Sequence, residues 1–159
     1  MQIGFSTTNK IISRIIRWFT KAKCSHTFFV FALFDRPWVL GAEFGGIELI
    51  SLERFQKNNS IVALADVPEL GEEAVKDAMA SLGEAYDFGG LLGGIFPIIG
   101  RWLKLKWTNP WENPKAMYCS EFVIRTLKAH KFPDIEALDA TTATPQDLHD
   151  FLVAHYAKE

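Results

Sequence analysis

The amino-acid sequence predicts an α+β fold, a small antiparallel sheet packed against helices. Between Ser25 and Val67, successive runs rich in Val, Ile, Leu, Phe and Thr are separated by short turn signals. Strands joined so closely pair antiparallel, because parallel pairs need long crossovers. From Glu72 onward, and again near the N-terminus, apolar residues recur at helical spacing instead. At 159 residues, with 48 % hydrophobic and 23 % charged residues, the chain can bury a core as one domain, expected to span residues 1–159.

The elements are expected in the following order. Thr7 or Thr8 caps a helix from about Asn9 to Ala22, with Ile11, Ile12, Ile15, Ile16 and Phe19 on one face. Lys10, Arg14, Arg17 and Lys21 form the opposite face. Such a helix either docks on the core or lies in a membrane interface, so a membrane-surface contact through residues 9–22 is one expectation. Ser25 to Phe34 reads as a strand buried on both faces, Asp35-Arg36-Pro37 as a turn, and Trp38 to Glu43 as the next strand. Phe44-Gly45-Gly46 makes a bend or bulge before a strand over Ile47 to Leu52, and Ile61 to Val67 is a further one. A helix follows from Glu72 to Leu82. The Gly-, Pro- and Trp-rich stretch from Tyr86 to Asn113 reads as a binding loop or lid, with a short helix between Phe88 and Leu103. A helix from Cys119 to His130 comes next. Thr144-Pro145-Gln146-Asp147 opens the last, to Tyr156, with Thr as N-cap, Pro in first position and an acidic first turn.

Composition removes several function classes. A net charge of −2 gives no general reason for nucleic-acid binding. Two cysteines make neither a disulfide framework nor a cysteine-rich zinc site, so no metal or cofactor is expected and a reducing compartment fits. The N-terminus lacks a signal peptide's apolar core, and the longest apolar stretch, Phe88 to Gly100, is glycine-rich and too short to span a bilayer. A cytoplasmic location is the expectation. Charge is nonetheless uneven. No acidic residue precedes Asp35, and Arg101, Lys104 and Lys106 alternate with Trp102, Leu103 and Trp107, which suggests local anionic contacts.

Cys119 carries the chemistry. At a helix N-terminus, unpaired N–H groups and the positive end of the helix dipole favour the thiolate, which is the nucleophile. Such a cysteine needs a base and a group to orient that base. Of the histidines, His149 and His155 fall on the last helix and His130 closes the Cys119 helix, where it favours the dipole without catalytic duty. His26 instead interrupts an apolar strand and must find a polar partner there. Strand alternation would put Cys24 on the same face as His26, making it a rival nucleophile or a disulfide partner for Cys119. Glu43 on the next strand is the candidate orienting acid and Glu48 the alternative. Glu121 is expected to complement the helix dipole.

Cys24-Ser25-His26 opening a strand, an acidic strand after it, Tyr86-Asp87-Phe88, and Tyr118-Cys119-Ser120-Glu121 opening a helix occur in a telling order. From about Gly4 to Leu152 the chain resembles the circularly permuted branch of the NlpC/P60 papain-like superfamily, the YiiX/YebB-like group related to lecithin:retinol acyltransferase. The resemblance implies Cys119 as nucleophile, His26 as base and a polar third residue on the following strand. Glu43 is the match, although Gly41-Ala42-Glu43 departs from the family's Glu-Ala order, and a bulge would carry Glu43 to the acid's place. It also implies a thiol hydrolase acting on an amide of a cell-wall-type peptide, or alternatively a lipid-directed thiol acyltransferase or deacylase with a lipid amide or ester as substrate. A binding module that kept the fold without the chemistry is the third expectation. A phage-encoded protein would reach a cell wall without a leader.

Overall fold

The computed structural model describes residues 1–9, 13–14, 17–18, 21–43, 45–86 and 116–157. They form a five-stranded antiparallel sheet with helices against it, as the sequence predicts. The strands are β1 (Gln2–Thr7), β2 (His26–Leu33), β3 (Arg36–Glu43), β4 (Gly46–Ser51) and β5 (Ser60–Asp66), in spatial order β4-β3-β2-β1-β5. The helices are α1 (Leu52–Gln56), α2 (Glu72–Ala80), α3 (Cys119–Ala129) and α4 (Pro145–Tyr156).

Two apolar layers sandwich β2, because its side chains alternate. Phe29 and Phe31 face the main core with Phe122, Val123 and Leu127 of α3, and the Phe29 and Phe122 rings meet edge-on at 5.5 Å. Phe28 and Val30 face the other way, against Val39 and Phe55. Thr27 to Phe31 is thus buried without interruption, the expected signature of a strand covered on both faces.

Several boundaries differ from expectation. The turn between β2 and β3 is Phe34-Asp35, both at positive φ (51° and 58°), which suits the twist of a two-residue hairpin better than a three-residue turn at 35–37. Leu52 leaves the strand because Ser51 caps α1, its hydroxyl accepting from the Arg54 N–H at 3.3 Å. That short helix delivers Phe55, 1 % exposed, to the second apolar layer. β1 was not expected as a strand, yet it lies between β2 and β5 and pairs with both. Its Gly4 allows close packing, since a Cβ there would come within 2.2 Å of Phe28 Cε2. A further short parallel pair, β6 (Ala85–Tyr86) with β7 (Ala116–Met117), sets residues 86 and 117 side by side. Most of the expected 9–22 helix lies outside the described residues; positions 13–14 and 17–18 are helical. Phe44 of the expected bend and the body of the expected 86–113 loop, including its basic-aromatic cluster, also lie outside them.

α4 begins as its sequence predicts. Thr144 and Asp147 form a reciprocal capping box with Pro145 at the first position. No helix among the described residues is long and apolar enough to cross a membrane.

Candidate active site

Cys119 is the first residue of α3, with Tyr118 in the N-cap position and offering no side-chain capping bond. The residues on either side are anchored: Tyr118 Oη donates to the Ala140 carbonyl at 3.1 Å and the buried Ser120 Oγ to that of Ala143 at 2.7 Å. Glu121, 3 % exposed in the first turn, pairs with Arg125 one turn on. That pairing accounts for its charge without any part in chemistry.

His26 begins β2. Extending the β2–β3 register, in which Phe29 faces Leu40, sets His26 opposite Glu43. Antiparallel partners project to the same side, and His26 Nε2 lies 3.1 Å from Glu43 Oε1. Glu43 needs no bulge to get there, because β3 pairs with β4 in unbroken register from Trp38 to Glu43. Gly41, on the same face, makes room: a Cβ there would lie 3.7 Å from His26 Nε2 and 3.0 Å from Phe28 Cβ. Phe28 and Phe55 stack against the imidazole at 5.6 and 6.0 Å. Glu48, the alternative acid, is exposed on the edge strand.

The His26 ring also lies against Cys119 and interacts with its sulfur. Burial works against the charged ring, but the interactions with Cys119 and then Glu43 outweigh it and raise the His26 pKa from 6.5 to about 10. The group is raised, so its contribution to stability is fully present below 6.5 and is lost as pH rises through about 10. In an NMR titration the His26 ring is expected to show a midpoint near 10 in the wild type. In Glu43→Gln that midpoint should fall toward 6.5; an unmoved midpoint would remove Glu43 as the ring's partner.

The structure therefore brings Cys119, His26 and Glu43 together. Cys24 also lies near Cys119, but not through strand parity: it precedes β2, so alternation does not govern it. Both cysteines are free. Cys24 is 1 % exposed. Burial first, then the charges of Cys119 and Asp150, push its thiol up to about 12. That favours the thiol form of Cys24 at neutral pH, where the thiolate is the nucleophile.

The other histidines sit apart from this group. His130 Nε2 lies 3.0 Å from Asp77 Oδ2 between α3 and α2, and His155 Nε2 is 3.8 Å from Glu69 Oε1. His149 packs edge-on to Phe5 and contacts Asp150. The aromatic backing of His26 was half legible, because Phe28 shares its strand face; Phe55 had no local signal. Gln146, noted above only as part of a helix start, reaches the chain segment that leads into His26.

No family model matches the chain, and no curated protein sequence does. Among solved structures the fold is similar to that of the metalloprotein YiiX from Escherichia coli O157:H7, with a TM-score of 0.57 and 21 % identity. The match covers 81 % of this chain and 64 % of that one, so the chain spans less than two thirds of its structural neighbour.

Proposed function

We propose that the protein is a cysteine hydrolase of the permuted NlpC/P60 type, with Cys119 as nucleophile, His26 as base and Glu43 as the residue that orients and charges His26. The observation that carries this reading is the contact of His26 with Cys119 on one side and Glu43 on the other. Two of these residues come from neighbouring strands and the third from a helix start. With Nε2 turned to Glu43, Nδ1 is left to serve the sulfur. The thiolate attacks a carbonyl carbon, and the first-turn N–H groups at Cys119 receive the developing oxyanion. His26 then gives its proton to the leaving amine, and a thioester links the acyl group to Cys119. Water, deprotonated by His26, cleaves the thioester and regenerates the pair.

The amide of a cell-wall-type peptide is the first substrate class. A lipid amide or ester is the second. Trp18, 75 % exposed beside the exposed Arg14, favours it, since an indole next to basic side chains suits a membrane interface. Among the described residues no three His, Cys, Asp or Glu side chains are arranged to hold a metal ion.

The test supplies wild type and His26→Ala with peptidoglycan and with phospholipid vesicles, reading released peptide ends and fatty acid. New peptide ends from wild type alone support the amidase, and fatty acid alone supports the lipid reading. A thiol-reactive acyl probe that labels Cys119 equally in both proteins would sink the enzyme reading and leave the inert binding module.

A further inference from the structure

Nucleophile and base come from segments almost a hundred residues apart in sequence, and one stretch, residues 140–146, fastens both. On the nucleophile's side, the Ala140 and Ala143 carbonyls hold Tyr118 and Ser120, the neighbours of Cys119. On the base's side, Gln146 Oε1 accepts from the Lys23 backbone N–H at 2.8 Å and from Cys24 Sγ at 3.7 Å, just ahead of His26. Gln146 Nε2 donates to Asp150 Oδ1 at 2.7 Å, and lies 3.3 Å from His149 Nδ1. The orientation of this amide is dictated by its partners, because a backbone N–H only donates and a carboxylate only accepts. Asp150 stays ionised for that role. Burial opposes its charge, but hydrogen bonds from His149 and Gln146 prevail and hold its carboxyl below the usual range. Cys24, held as a thiol, keeps its proton to donate.

We infer that Gln146 is a positioning residue of the Cys119–His26 pair, clamping the chain that delivers His26 to the same segment that anchors the start of α3. Its role rests on the catalytic reading above and acts through His26, with no contact to substrate. Cys24 belongs to the clamp as a hydrogen-bond donor. This gives a second buried thiol beside the nucleophile a reason other than chemistry.

Gln146→Met keeps the length and volume of the side chain and removes its polar atoms. The measurements are the rate at which iodoacetamide modifies Cys119, read on its own peptide by mass spectrometry, and the His26 ring titration. Small displacements in such pairs are costly, so Gln146→Met is expected to slow modification roughly ten- to a hundredfold and to lower the His26 midpoint. Gln146→Glu alone sets two carboxylates together and should be slow as well. The double variant Gln146→Glu/Asp150→Asn reverses the direction of that hydrogen bond, keeps the acceptor for Lys23, and should recover to within about threefold of wild type, as complementary pairs restore a coupling. A wild-type rate and midpoint in Gln146→Met overturn the inference. If Gln146→Met does not fold, Gln146→Glu and the double variant decide, and equal rates in those two overturn it. His26→Ala separates the two ideas. If it slows modification while the Gln146 variants do not, only the clamp fails; if it too is silent, the thiol–imidazole pair fails and the clamp with it.

Discussion

Cys119→Ser is expected to abolish turnover, by at least roughly a thousandfold, while Cys24→Ser stays within about tenfold of wild type. The two substitutions make the same atomic change a short distance apart, so the contrast isolates environment. Both cysteines are buried, but Cys119 opens α3 beside His26, whereas Cys24 has its thiol pushed up to about 12 and Gln146 as an acceptor. A serine at 24 still donates to Gln146; a serine at 119 is too weak a nucleophile at neutral pH. Far-ultraviolet circular dichroism should show both variants folded. Turnover that survives at Cys119→Ser and disappears at Cys24→Ser would exchange the roles of the two cysteines.

Gly4→Ala should be strongly damaging to the sheet. The added Cβ would meet Phe28 Cε2, Cζ and Cδ2 at 2.2, 2.5 and 2.9 Å. The ring cannot simply step aside, because it is fully buried and packs on Phe55 at 4.4 Å. Overpacking of this kind costs about 1–3 kcal/mol. For a chain of this size that lowers the melting temperature by roughly 2–12 °C. Phe28 also stacks on His26, so the displacement should reach the base and reduce turnover along with stability. A melting temperature and turnover equal to wild type would show that Phe28 has room to move.

These two positions mark the boundary between what was legible in the chain and what was not. Cys119 announced itself locally, because an apolar helical run begins directly after it and helix ends are decided over a few residues. His26 was legible as a polar ring in an apolar strand, and Glu43 as a carboxylate on the following one. Gly4 conveyed nothing of its place. A glycine within a six-residue run weakens the strand signal, and β1 is held as a strand by hydrogen bonds to β2 and β5 rather than by its own propensity. Phe55 and Gln146 were equally silent, since each acts on His26 or on the chain leading to it from a segment remote in sequence.

The sequence by itself determined the α+β class, the antiparallel sheet, the cap of α4 and the candidate residues, because periodicity, capping and turn chemistry act over a few residues. It did not choose between Glu43 and Glu48, or settle the standing of Cys24. Tertiary structure decided the placement: the β2–β3 register set Glu43, not Glu48, against His26, and burial beside Cys119 and Asp150 favours the thiol form of Cys24. Both outcomes depend on which distant groups share a low-dielectric space, and a linear pattern does not contain that information.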